Sequence, residues 1–264
     1  MDPDAQQRRD LIMVRVCERG HVTVRDLARD TGLSESTIRR DLRILADRRE
    51  LELVHGGAVV GRANDLSFHY KSTRNVEAKR IIGRLAAELV SDGDQILLDS
   101  GTTCFQMTPS LRTKRGLLVI VNSTRLATEL NTSGLSVILL GGQYRTARMD
   151  TIGPLAMATL DQLRGYLAFI GADGLSREFG LTAGDIDSAH LYRLAIGNAR
   201  QTTLLADHTK FESPSLFKIV GFEAISRVVT DTPPSSEWME FFQSKGIRVV
   251  YPGQESGGGE APAR

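Results

Sequence analysis

The feature that most narrows the possible folds is a series of short, almost continuously apolar runs: QILLD (95–99), LLVIV (117–121), LSVILL (135–140), YLAFIGA (166–172) and TTLLAD (202–207). A strand that is apolar at nearly every position has no face to offer water, so both of its sides must be covered. Segments of helical pattern separate most of these runs, beginning with residues 76–90. This alternation predicts an α/β domain built on a mostly parallel sheet with helices on both faces. Further strands are expected at 217–220, 227–230 and 247–251.

The first sixty residues read differently. Leu11, Val14 and Cys17 fall at helical spacing in a segment that ends at Gly20, which predicts one amphipathic helix. Thr23 is placed to cap a second, shorter helix, with Asp26 in its first turn and a break at Thr31-Gly32. Ser34 then caps a third, SESTIRRDLRILADRR, and LELVHGGAVV (51–60) reads as two extended stretches around a His55-Gly56-Gly57 turn. At about 100° per residue, Ile38, Leu42 and Leu45 share one arc of the third helix, while Ser36, Arg39, Arg40 and Arg43 share the opposite one. Guanidinium groups pair bidentately with guanine edges or phosphates, and hydroxyls near a helix N-terminus suit phosphate. Taken alone, an arginine-rich face is more often solvated surface. Behind two helices and a tight turn, it has the arrangement of a winged helix-turn-helix that reads duplex DNA. The wing would bring Gly56 and Gly57 near the sugar-phosphate backbone, with His55 as a phosphate or minor-groove contact; a plain hairpin turn is the equally open alternative.

Global charge adds nothing to that reading, because the formal net charge of the 264-residue chain is only +1. Locally, five arginines stand against Glu35, Asp41 and Asp47 between Ser34 and Arg49. No apolar run approaches the roughly 18 to 20 residues that span a bilayer, and no signal-like segment is evident, so a cytoplasmic protein is expected. Cys17 and Cys104 lie far apart in helical pattern and are expected to be reduced packing residues. The five histidines show no metal-ligand spacing with them, and no metal or cofactor is expected. The expected organisation is a DNA-binding domain (1–60), a polar linker (61–75), an α/β domain (76–252) and a disordered tail (253–264).

In the α/β domain the strongest site candidate follows the strand at 95–99. Asp99, Ser100, Gly101, Thr102 and Thr103 open a helix, and their backbone N–H groups and hydroxyls make a ready anion site. A capped strand-to-helix turn would look the same. Small, polar or charged residues recur at other strand ends: Asn122, Gly141 and Gly142, Gly171, then Asp207 and Lys210. A shared pocket beyond the carboxyl ends of the strands would produce that recurrence, as would ordinary loops to a lesser degree.

The run HVTVRDLARDTGLSESTIRRDLRILADRRELELVHGGAVV (21–60), with Leu27, Ser34, Thr37, Arg39, Arg40, Asp41, Leu42 and the His55-Gly56-Gly57-Ala58 wing, resembles the N-terminal signature of the DeoR family of bacterial transcription regulators. DSGTT, VNS, LGGQYR, FIGADG and LLADHTKF extend the resemblance to about Pro252. It implies a sensor domain akin to ribose-5-phosphate isomerase and CoA-transferase-like folds that binds a phosphorylated sugar or related metabolite and thereby shifts affinity for an operator. It also implies a role in repressing carbohydrate genes, a homo-oligomer (dimer or tetramer) and no enzymatic activity. It carries the DNA contacts onto Ser34, Ser36, Thr37, Arg39, Arg40, Arg43, His55, Gly56 and Gly57. Phosphate falls to residues 99–103, Asn122, Gly141, Gly142, Gly171, Asp207 and Lys210 line the remainder, and Arg145 or Arg148 supplies a further cation. Asp41 would orient a neighbouring arginine. One stretch departs from the family pattern: DIDSAHLYRLAI has Ser188 and Tyr192 where an acidic residue followed by an apolar and basic run is usual. Two other classes remain open from the residues alone. Asp99, Asp173, Asp207 and Lys210 hold the acid–base groups of a sugar-phosphate isomerase, and a large domain that only oligomerises would make an architectural DNA-binding protein.

Overall fold

The computed structural model describes residues 3–47, 51–60, 68–146 and 148–253. The N-terminal part consists of α1 (Pro3–Arg19), β1 (His21–Thr23), α2 (Val24–Thr31), α3 (Glu35–Asp47), β2 (Leu51–Val54) and β3 (Gly57–Val60). Thr23 caps α2 as expected, its hydroxyl accepting the Asp26 N–H at 3.1 Å, and Gly32 ends that helix in the left-handed region. The three helices close over an antiparallel sheet of order β1-β3-β2, burying Leu27, Ile38, Leu42 and Leu45 together.

Two details depart from expectation. The chain enters the sheet through β1, too short to leave an alternating pattern in the sequence. In α1 the core face is Ile12, Met13 and Val16, while Leu11 is 43% exposed; the side chains of Val14 and Cys17 lie outside the described residues. LIMVRVC is apolar almost all round, so spacing alone does not select a face, and packing against α3 does.

Next come α4 (Phe68–Thr73), α5 (Val76–Glu88), β4 (Gln95–Leu98), α6 (Thr102–Phe105), α7 (Thr108–Leu111), β5 (Leu117–Val121), α8 (Thr124–Glu129) and β6 (Leu135–Leu139). A small hairpin, β7 (Gln143–Arg145) and β8 (Asp150–Ile152), leads to α9 (Pro154–Leu160) and β9 (Leu167–Gly171). After β10 (Gly174–Ser176) and β11 (Gly180–Ala183) the chain forms α10 (Ile186–Asn198), β12 (Gln201–Leu205), β13 (Phe217–Val220), β14 (Arg227–Val229), α11 (Ser236–Ser244) and β15 (Arg248–Val250).

Seven strands make one sheet of order β15-β14-β12-β9-β4-β5-β6, every neighbouring pair parallel. Alternate residues feed opposite cores: Ile96 and Leu98 pack with Ile82, Val119 and Phe169 on one face, Leu97 with Ile120, Ala168 and Ile170 on the other. The expected doubly covered parallel sheet is therefore present. The strand at 217–220 belongs elsewhere, in a small antiparallel sheet of order β10-β11-β13. From β4 the chain builds outward through β5 and β6, then returns to add β9 on the other side of β4. That reversal opens a crevice above the carboxyl ends of β4 and β9, where open α/β sheets take their ligands.

The expected linker needs a correction. Residues 61–67 lie outside the described residues, as do 254–264 of the expected tail, but 68–73 form α4. Phe68 is buried there and meets Phe105 edge-on, ring centres 5.5 Å apart, so this segment is packed against the sheet's helices.

Candidate functional site

On the N-terminal module, Ser34 spends its hydroxyl on capping α3, accepting the Thr37 N–H at 3.2 Å and lying 2.8 and 2.9 Å from the hydroxyls of Ser36 and Thr37. Ser36, Arg39, Arg40 and Arg43 are all exposed on the face opposite the buried arc, and Thr37 is half-buried at its margin. Arg39 pairs with Glu35 one turn away at 2.7 Å. Among the described residues Arg40 and Arg43 have no ion-pair partner. Asp41 does orient arginines, but those of another helix: buried, it takes Arg8 at 2.6 and 3.2 Å and lies 3.6 Å from Arg9. The acid thus fastens α3 to α1 and leaves the outward arginines to solvent. His55 and Gly56 stand exposed at the wing tip, whereas Gly57 is buried. A Cβ there would lie 2.0 Å from the Val22 carbonyl, so that glycine serves the close approach of β1 to β3.

On the α/β domain, a cavity of about 420 Å³ opens in the crevice. Its floor is the end of β4, where Asp99 is buried and bridges two strand ends: it accepts the Gly101 N–H at 2.7 Å and the Gly171 N–H. A Cβ at Gly101 would lie 2.8 Å, and one at Gly171 3.1 Å, from its carboxylate oxygens. Gly101 thus makes room for the Asp99 carboxylate, and a side chain at Gly171 would press on it. Burial pushes the Asp99 carboxyl above the usual range, against the opposing pull of the Cys104 thiol and the two N–H donors. The Ser100 N–H and hydroxyl lie 3.3 and 2.8 Å from the Tyr192 hydroxyl, and the Ser100 hydroxyl donates to Asp150 at 2.9 Å. Two N–H donors of the expected anion cradle are thus already engaged. The residues marked as departing from the family pattern, Ser188 and Tyr192, both line the cavity.

Positive charge comes from an unexpected side. Lys71, Arg74 and Asn75, assigned to a linker by their polarity, form a wall of the cavity with Lys79 of α5. Lys71 reaches Asp173 at 2.6 Å. Although burial raises the Asp173 carboxyl, the Lys71 ammonium and the Gly184 N–H bring it down to about 2. Lys79 is buried and donates to the carbonyls of Lys71 and Arg74, the latter at 2.8 Å; burial pushes its ammonium down to about 8, against the attraction of Asp207. Asp207 accepts from Asn75 at 3.2 Å and Thr209 at 3.0 Å through one oxygen, while its other oxygen is buried without a hydrogen-bond partner. Lys210 and Arg148 complete the cationic lining. No periodic signal marks this wall: Lys71 lies on a six-residue helix and Lys79 on the next one, with a left-handed Asn75 between them.

Three expected lining residues lie elsewhere. Asn122, at the end of β5, and Gly141 and Gly142, beyond the edge strand β6, do not line the cavity. Asn122 instead pins β8, its amide donating to the Thr151 carbonyl at 3.0 Å. Of the two arginines offered as cations only Arg148 lines it; Arg145 is locked to Asp150 at 2.7 Å and Asp185 at 2.8 Å. His208 points away, paired with Asp231 at 2.7 Å. Cys104 is buried, and burial pushes its thiol well above the usual value. Among the described residues no cluster of histidine, cysteine or carboxylate groups is arranged to hold a metal.

Comparison with known proteins assigns both parts. The model of the DeoR-like helix-turn-helix domain matches residues 8–63 and that of the DeoR C-terminal sensor domain matches residues 74–232. The chain belongs to the DeoR family. Similar proteins include the HTH-type transcriptional regulator GlpR of Haloferax volcanii, 33% identical over 92% of this chain and 96% of its own length. The glycerol-3-phosphate regulon repressor of Escherichia coli is 27% identical over 92% and 97%. Among solved structures, ribose 5-phosphate isomerase A from Neisseria gonorrhoeae matches loosely: 17% identity, 51% of this chain, 53% of that one, TM-score 0.38. Within this DeoR-family chain, the helix-turn-helix match ends just past β3 and the sensor match begins at Arg74. No helix among the described residues is long and apolar enough to cross a membrane.

Proposed function

We propose that this DeoR-family protein is a cytoplasmic, homo-oligomeric repressor of carbohydrate-metabolism genes. It reads operator DNA with Ser36, Arg39, Arg40 and Arg43, supported by the wing tip at His55 and Gly56, and its operator affinity is set by a phosphorylated sugar in the 420 Å³ cavity. One observation carries the reading: a crevice at the sheet's switch point combines cations (Lys79, Lys210, Arg148) with carboxylates (Asp99, Asp173, Asp207), the two kinds of group that a phosphorylated polyol needs. The regulators it is similar to, one of them named for a glycerol-3-phosphate regulon, support the same chemistry. A binding role suits Asp99 and Asp173 better than an isomerase role, because Asp99 is spent on two N–H groups and Asp173 on Lys71, leaving neither placed as a free base.

The test has two parts. Thermal unfolding of the full chain is followed with glycerol 3-phosphate, ribose 5-phosphate, fructose 1-phosphate, fructose 6-phosphate and inorganic phosphate, since a compound bound only by the folded state raises the midpoint. Binding to duplexes selected from a random pool is then measured with and without each compound. A raised midpoint together with operator affinity changed about 5- to 150-fold supports the proposal. A midpoint unmoved by every compound removes the effector assignment.

A further inference from the structure

The wall that carries Lys71 is also the part of the α/β domain that meets the DNA-binding module. α4 begins where the described chain resumes after that module, and it lies against α1. α1 in turn supplies Arg8 and Arg9 to the buried Asp41 of α3. The recognition face is therefore two helix contacts away from the cavity.

Buried Phe68 anchors the start of α4 against Phe105, and the rest of the helix is held by polar attachments. Lys71 crosses the cavity mouth to Asp173, 102 positions later in the chain, and Asp173 is itself fixed by the Gly184 N–H at 2.7 Å. The Lys79 ammonium clamps the end of the helix through the Lys71 and Arg74 carbonyls. Asn75, in the left-handed region at φ 49°, ties the following turn to Asp207. Each of these attachments lines the cavity, so an anionic guest competes for them directly. The Lys71–Asp173 pair is the most exposed to such competition. Both side chains are about 30% accessible, and a phosphate dianion offers the ammonium more charge than one carboxylate does.

We infer that the Lys71–Asp173 ion pair is a latch through which an anion in the cavity controls the DNA-binding module: the anion draws Lys71 off Asp173, α4 shifts, and the α1–Asp41–α3 arrangement shifts with it. The inference rests on the effector reading above. It adds the element whose two arrangements, paired and unpaired, the effector biases, which any coupling between separate sites requires. The conformation described here is the latched one.

The test uses the full chain with Asp173→Asn and Lys71→Met, each checked for a cooperative thermal transition. With no compound added, both variants are expected to bind the selected operator duplex as the native chain does at saturating glycerol 3-phosphate, or whichever compound of the panel acts on it. Adding that compound then changes their affinity less than twofold, against about 5- to 150-fold for the native chain. A double variant is expected to match either single one, because both break the same pair. Native operator affinity and a native response in both variants overturn the latch and leave the effector reading standing. A native chain that answers no compound, combined with altered operator affinity in both variants, overturns the effector reading and keeps the latch. If neither variant folds, hydrogen exchange of residues 68–75 in the native chain decides: faster exchange with the active compound supports the latch, and unchanged exchange overturns it.

Discussion

The arginine-bearing helix α3 and the cavity are built on opposite plans. Every residue of the arginine face comes from one helix and is exposed, and the one ion pair it makes, Arg39 with Glu35, is itself at the surface. The cavity gathers side chains from α4, α5, α10 and the ends of β4, β9 and β12, and most of its polar groups are buried or half-buried, with Asp99, Asp173, Lys79 and Tyr192 each held by a partner. A contiguous, solvated surface can change residue by residue with little effect on the fold. A buried network assembled over long sequence distances cannot, because each group satisfies another. The contrast teaches where function and stability separate in this molecule and where they coincide.

The sharpest way to break it is at Asp41, the one buried acid of α3. If it fastens α3 to α1, Asp41→Ala leaves Arg8 and Arg9 facing an empty site and costs about 3 to 5 kcal/mol by denaturant unfolding; a loss below 1 kcal/mol would put Asp41 with the surface charges. Arg40→Ala should do the reverse, lowering operator affinity by about 1 to 3 kcal/mol while stability stays within about 0.5 kcal/mol. Equal operator binding by native and variant proteins would remove Arg40 from the interface.

On the cavity side, Asp173 has a carboxyl held down to about 2, below its ordinary value of 3.8. A depressed carboxylate contributes stability that is present above its unfolded pKa and is lost as pH falls through the folded one. Acid titration of unfolding free energy should therefore show a loss of up to about 2 kcal/mol between pH 4 and 2 that Asp173→Asn lacks. Lys79 has the opposite sign: its ammonium is driven down to about 8, so its burial is a cost that fades as pH rises from 8 towards 10, and binding of an anion beside it should be accompanied by proton uptake at Lys79 in that range. Smallest is Tyr192→Phe, which removes one hydrogen-bond partner from Ser100 and should cost about 1 kcal/mol; a change in sugar-phosphate affinity with it would show that Tyr192 shapes the anion cradle.

The same contrast explains what the sequence makes legible. The arc of Ile38, Leu42 and Leu45 and the opposing arginines are local facts of helical periodicity, and the strands of the parallel sheet follow from apolar runs. The loop at 99–103, Gly171, Asp207 and Lys210 could be read because strand ends converge in a parallel sheet. Lys71, Arg74 and Asn75 could not, since a six-residue helix has too little period and polar composition imitates a linker. Asn122, Gly141 and Gly142 follow from the same strand-end logic, which shows neither that β6 is the edge strand nor that the Asn122 amide is taken by the Thr151 carbonyl of β8. The partner of Asp41 was hidden for a related reason: the arginines beside it in sequence point outward, and the ones it holds are on another helix.

The most direct measurement is a titration of the selected operator duplex with the full chain by fluorescence anisotropy at fixed salt, without and with saturating sugar phosphate, run beside thermal unfolding to report occupancy. The account predicts that the compound which raises the unfolding midpoint also changes operator affinity by about 5- to 150-fold. Full occupancy of the cavity with operator affinity unchanged would contradict it.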